Sequence, residues 1–195
     1  MRGVTPEGAL PPTPSQTVGP FYSFGLEWED GPFAVAAGTA GAIRVSGRLL
    51  DGRGDPVPDG LIETWQADPD GRFAHPDDPR GAVEWAAGFR GFGRCPTDAE
   101  GNWSVLTLKP GRVPGPGGAS QAPHIAVSVF ARGLLQRLVT RIYFGDEREA
   151  NAADPVLTSL RGGDERRTLI ATPVEGGYRL DIHLQGPDET VFFAI

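Results

Sequence analysis

The clearest alternation of apolar and polar positions runs from Gln121 to Phe144, QAPHIAVSVFARGLLQRLVTRIYF. Ile125, Val127 and Val129 fall on one side of a two-residue period, with Ala126, Ser128 and Phe130 on the other. Beyond a turn at Gly133, Leu138, Thr140 and Ile142 alternate with Val139, Arg141 and Tyr143. A period of two rich in β-branched residues is strand chemistry, so the stretch predicts two adjacent strands, His124–Arg132 and Arg137–Phe144.

The same period recurs elsewhere. Ile43–Leu50 predicts a strand ending in the turn Asp51-Gly52-Arg53-Gly54, and LIETWQAD, from Leu61, sets Leu61, Glu63 and Trp65 against Ile62, Thr64 and Gln66. Asn102–Gly111 carries apolar residues on both faces and reads as an inner strand, while Tyr178–Leu184 turns Leu180, Ile182 and Leu184 in and Arg179, Asp181 and His183 out. ETVFFAI predicts a last strand at the C-terminal end. Helices are confined to connections: one short helix from Asp154 with Pro155 at its first position, helix or turn over Ser159–Ala171, and at most one helical turn in the loop Asp68–Trp85. Val113–Ser120 reads as irregular loop. Seven or so strands with long loops make an all-β chain, an antiparallel β-sandwich.

Residues 1–42 hold no helix or long strand and are punctuated by six prolines. They read as an extended N-terminal arm on a domain spanning 43–195. Within the arm, TPSQTVGPFYSFGL brings Phe21, Tyr22 and Phe24 after a Gly19–Pro20 turn. A solvated tail gains nothing from exposed aromatics, so this piece is expected to be pinned on a surface, its own or a partner's.

Composition narrows the class. Glycine and proline, 28 and 19 of 195 residues, approach the level at which disorder competes, but the alternating segments assign them to turns and irregular connections. A net charge of −7 with few clustered basic residues excludes nucleic acid as a partner. The single cysteine, Cys95, rules out an internal disulfide and fits a reducing compartment. No opening segment has the basic-then-apolar form of a signal peptide and no apolar run approaches the ~20 residues of a membrane span, so a soluble cytoplasmic protein with no membrane partner is expected.

Candidate chemistry is sparse. His124 opens the central strand, but the same-face position two residues on, where a second imidazole would complete a metal-binding pair, is Ala126. His183 lies on the polar face of its strand, and His75 sits among Asp68, Asp70, Asp77 and Asp78 without the spacing of a calcium loop. Neither a Gly-x-Ser-x-Gly elbow nor a dinucleotide fingerprint is present. The residues alone give a soluble β-sandwich with an aromatic arm.

Taken together, TPSQTVGPFYSFGL, LIETWQADPDGRF, FGRCPTD, LKPG, APHIAVSVFARG, RIYFGDE and YRLDIHLQGPDETVFF, in this order from about Thr13 to the end, resemble the intradiol ring-cleavage dioxygenases. In that family a catalytic chain binds non-haem ferric iron through two tyrosines and two histidines. The resemblance sets Phe73 and Val113 where the tyrosines stand and Ala126 at one histidine, keeping only His124; Gln121 replaces an arginine of the same motif. It therefore implies a non-catalytic α chain that carries no metal and no catalytic residue of its own, with Fe(III) in a partner β chain and a higher-order α/β oligomer. The ligands implied are protocatechuate and O2, joined in cleavage between the two hydroxylated ring carbons to a tricarboxylic muconate. Thr17, Gly19 and Pro20 of the arm and Arg132 of the central strand are implied to reach the partner's substrate pocket, Arg132 meeting the substrate carboxylate. Two alternatives stay open at this point: an independent metal-dependent protein of the same fold, using His124 with loop acids, and a β-sandwich binding module unconnected to catalysis.

Overall fold

The computed structural model describes residues 13–19, 21–78, 80–81 and 88–194. A short helix α1 (Tyr22–Leu26) precedes β1 (Ala42–Leu50), β2 (Leu61–Trp65), β3 (Phe92–Pro96) and β4 (Asn102–Leu108). Two-residue strands β5 (Val113–Pro114) and β6 (Ser120–Gln121) flank a single 3-10 turn, and β7 (His124–Phe130) and β8 (Leu138–Phe144) follow. The chain continues through α2 (Arg148–Ala153), α3 (Pro155–Ser159) and α4 (Gly163–Arg167) to β9 (Ile170–Val174), β10 (Gly177–Arg179) and β11 (Ile182–His183).

Nine strands join one sheet in the order β11-β1-β10-β9-β8-β7-β2-β3, with β4 on β1. The all-β class is as expected, but the sheet is mixed rather than an antiparallel sandwich: β1 runs parallel to β10 and β11, and β8 parallel to β9. A parallel neighbour needs a long crossover, and residues 145–169 with their three short helices supply it between β8 and β9. The sheet's two limbs share one core, in which Val45, Leu49, Trp103 and Val105 from one side meet Ile62, Ile125, Val127, Val129 and Ile142 from the other. A buried polar link spans the limbs: Gln66 Nε2 donates to the Leu108 carbonyl at 2.7 Å and Gln66 Oε1 accepts from Thr107 Oγ1 at 2.8 Å.

Several expectations are corrected. The run Tyr178–Leu184 is not one strand, because the Asp181 carboxylate accepts the Arg48 N–H at 2.9 Å and interrupts the ladder between β10 and β11. ETVFFAI forms no strand over 189–194: β9 takes the second edge of β8 only at Tyr143 and Phe144, and the segment meets the rest of that edge through isolated bonds such as Phe193 N–H to the Val139 carbonyl at 2.8 Å. The apolar outer face of β4 has another cause than a second strand. Its free edge is covered by the arm, where Leu106 N–H donates to Pro32 at 2.8 Å and Ala34 N–H to Leu106 at 2.9 Å. A strand, β9, occupies the end of the helix-or-turn segment Ser159–Ala171, and the loop after Val113 is bracketed by β5 and β6. Part of Asp68–Trp85, where one helical turn was allowed, lies outside the described residues.

Candidate functional site

The arm and the β7–β8 turn meet at one rim. Thr17 Oγ1 accepts the N–H of Gly133 at 2.7 Å, next to Arg132, which lies in the turn two residues beyond the end of β7 at Phe130 rather than in the strand as expected. Gly133 has φ 89°, a conformation open to glycine at little cost, so the turn is tight enough to present its amide outward. The carbonyl of Gly19 accepts the Tyr22 N–H at 3.2 Å and starts α1. Tyr22 is half-buried and its hydroxyl donates to the carbonyl of Asp59, while the Asp59 carboxylate pairs with Arg132 Nε. Burial, and then the negative charges of Asp59 and Glu27, push the Tyr22 phenol up to about 12, so it stays a neutral donor. Gln16 and Val18 line a small cavity of ≈ 120 Å³ against Phe130, Leu134 and Arg137.

Thr17 and Arg132 are thus brought together, and Gly19 lies one helical turn from the same cluster. Pro20 and the side chain of Phe24 lie outside the described residues. Behind the rim, Arg94 clamps the chain that leaves α1: its guanidinium lies 4.3 Å from the Trp28 ring centroid, pairs with Glu63, and donates to the Leu26 carbonyl at 3.0 Å. The arm is therefore held on the chain's own sheet at Tyr22, Leu26 and Trp28, while Phe21 is exposed. Tyr22 was marked by the sequence only as one of the arm's aromatics, and Asp59 was not singled out. Asp59 sits in a Pro-Asp-Gly turn, a composition that signals only a turn.

A second group gathers the positions that a metal set would need. His124 and Ala126 share a face of β7 opposite Tyr143 and Arg141 of β8, and Ala126 also faces Trp65 of β2. The Phe73 ring stacks on Trp65, centroids 6.2 Å apart, and buried Val113 pairs with Gln121, whose Oε1 accepts from Arg141 at 2.6 Å. His124 Nδ1 contacts the Ala122 carbonyl at 2.8 Å; a carbonyl only accepts, so this nitrogen carries the proton. Burial, and then the Arg141 charge, push the imidazole down to about 4. Asp154, fully buried, completes the network: it accepts from Ala122 N–H at 2.8 Å, Tyr143 Oη at 3.2 Å, and Val156 and Leu157 N–H at the start of α3.

These residues do not fit a ferric ion. Phe73, Val113 and Ala126 offer no oxygen or nitrogen donor, and a guanidinium beside His124 repels a cation. Among the described residues no three His, Cys, Asp or Glu side chains cluster to hold a metal. The acidic loop is committed internally: Asp68 accepts from its own turn, and Asp78 is held well below the usual carboxylate range by Arg80 and the Phe73 N–H. No helix among the described residues is long and apolar enough to cross a membrane.

The family model described as dioxygenase matches residues 18–186. The protocatechuate 3,4-dioxygenase alpha chain of Burkholderia cepacia is 42% identical over 206 residues, covering 95% of this chain and 98% of that one. The beta chain from the same organism is 40% identical over 158 residues, 76% of this chain and 66% of its own length. Among solved structures, the dioxygenase domain of a dioxygenase carbohydrate-binding protein fusion from Streptomyces sp. SirexAA-E superposes with a TM-score of 0.57 at 25% identity, covering 80% of this chain and 87% of that one.

Proposed function

The chain belongs to the intradiol ring-cleavage dioxygenase family, and we propose that within it the chain serves as the iron-free α subunit of an α/β protocatechuate 3,4-dioxygenase. The observation that carries this reading is the near full-length identity to an alpha chain in an organism that also has a similar beta chain. The beta chain is the partner, and Fe(III) resides there. The assembly converts protocatechuate and O2 to 3-carboxy-cis,cis-muconate, opening the ring between the two hydroxylated carbons with both oxygen atoms entering the product. The donor set at Phe73, Val113, His124 and Ala126 supports an iron-free role, so no step of the oxygen chemistry falls on this chain.

This chain's own part is to bind and orient. The arm, with Thr17, Gly19 and Pro20, borders the partner's substrate pocket and limits access of water. Arg132, exposed at the same rim, meets the substrate carboxylate through charge-assisted hydrogen bonds. A cytoplasmic location accords with the single, buried and unpaired Cys95.

Co-expression with a beta chain tests the assignment: iron and ring-cleavage activity should appear in the complex, with the iron remaining on the beta chain after separation. Iron and activity in this chain alone would overturn it. Arg132→Ala in the complex should raise the KM for protocatechuate about tenfold and leave that for catechol, which lacks the carboxylate, unchanged.

A further inference from the structure

We infer that Asp59 is a positioning residue for Arg132, fixing which edge of the guanidinium the rim offers to a bound carboxylate. The inference rests on the carboxylate-recognition role proposed for Arg132. That side chain is 59% exposed at a strand end, so packing does little to hold it, and an unrestrained arginine would spend most of its time in other rotamers. Its protein partner is Asp59, which pairs with Nε. Among the described residues the two terminal nitrogens have no partner. An aspartate on Nε therefore leaves the Nη1/Nη2 fork free, and that fork matches the two oxygens of a carboxylate.

Asp59 is itself rigidly mounted. Its turn is fastened to β3's end by Thr97, whose Oγ1 donates to the Val57 carbonyl at 2.7 Å and accepts from Gly60 N–H at 2.8 Å. Its carbonyl takes the Tyr22 hydroxyl, and Thr17 holds the amide next to Arg132. The arm, the 57–60 turn and the β7–β8 turn thus converge on one aspartate, which couples the seating of the arm to the aim of the guanidinium. A second effect has the same origin. The Asp59 charge offsets that of Arg132, so the rim favours a carboxylate that reaches the fork over anions drawn by net charge alone.

The test uses the assembled α/β complex with protocatechuate and catechol. Asp59→Ala should raise the KM for protocatechuate about fivefold, the cost of ordering one long side chain on binding. Turnover, iron content and the KM for catechol should stay within twofold. Asp59→Asn keeps an oxygen that accepts from Nε and should return most of the lost affinity. The double variant Asp59→Ala/Arg132→Ala should match Arg132→Ala alone, because a positioning residue has nothing left to position. Should Asp59→Ala fail to assemble, Asp59→Ser, too short to reach Arg132 but compatible with the turn, carries the same expectation. The inference is overturned if Arg132→Ala raises the KM while Asp59→Ala does not, if the two effects add, or if catechol suffers equally. An Arg132→Ala complex with unchanged preference for protocatechuate over catechol would instead overturn the recognition role itself.

Discussion

Acidification offers a direct reading of the His124 site. The imidazole is pushed from an ordinary 6.5 to about 4 by burial and by Arg141, against the smaller opposing effects of the Ala122 carbonyl and Asp154. Tyr143, whose ring lies tilted against it with centroids 5.5 Å apart, stays neutral because burial raises its phenol to about 12. Between pH 6.5 and 4 the unfolded chain binds a proton at His124 that the folded chain does not, so stability is full above that window and is lost as pH falls through it. With those two values, the loss reached at pH 5 is about 2 kcal/mol, or about 1 M in urea midpoint for a chain of this size. The assay is urea unfolding followed by tryptophan fluorescence at steps from pH 7.5 to 5, for the wild type and His124→Gln. Carboxylates such as Asp78 also lose stability in acid, but they do so in both proteins and cancel in the difference. The midpoint of the wild type should fall by the extra ~1 M. Parallel curves for the two proteins, or an imidazole titrating near 6.5 by NMR, would refute the buried neutral histidine.

Asp154→Ala strips an acceptor from Ala122, Tyr143, Val156 and Leu157 at once and should cost about 3 kcal/mol or more, seen as a melting temperature lower by roughly 10 °C; a drop of only a degree or two would show the network to be replaceable. Gly47→Ala places a Cβ 1.7 Å from the Leu180 carbonyl, where β1 and the link between β10 and β11 lie backbone to backbone, and should reduce stability by about 3 kcal/mol or abolish soluble expression. Arg94→Ala removes the Trp28 stack, the Glu63 pair and the Leu26 bond, so limited proteolysis should cut within residues 13–30 several-fold faster while the core fragment resists; equal cleavage rates would mean the arm is seated by other contacts.

What the amino acids made legible follows from how local each signal is. β7 and β8 were readable almost to the residue, because a single face of Ile125, Val127 and Val129 buries against the core and any slip of one position would expose all three. Asp154 before Pro155 was readable for the same reason: a cap and its helix start are neighbours in sequence. The mixed sheet was not legible, since the parallel pairing of β9 with β8 and of β10 with β1 depends on where a crossover returns, and alternation is the same in either direction. The break at Leu180–Asp181 was hidden because its cause, a carboxylate capping the Arg48 amide, joins residues 133 apart in sequence. Asp59 was invisible as the partner of Arg132 on the same ground; of the arm's aromatics, Tyr22 is seated on the Asp59 carbonyl while Phe21 stays exposed.

The two halves of the functional reading stand on different kinds of observation. The proposed iron-free role rests on residue types, since no arrangement of Phe73, Val113 and Ala126 yields a donor. What the structure adds is how the charges around these positions are paired. Arg141 spans from Gln121 to the Tyr143 hydroxyl, one bonded step from Asp154, and so sets a positive charge beside His124. Cation and anion balance within the chain, and Asp154 caps α3 and anchors Ala122. Restoring tyrosines at 73 and 113 and histidine at 126 would therefore leave a binding site that still contains a fixed positive charge beside His124. Iron uptake by such a triple variant should stay substoichiometric until Arg141 is also neutralised, for example as Arg141→Gln. Full iron loading of the triple variant with Arg141 in place would show that the donors alone decide, and that the charge rearrangement around them carries no weight.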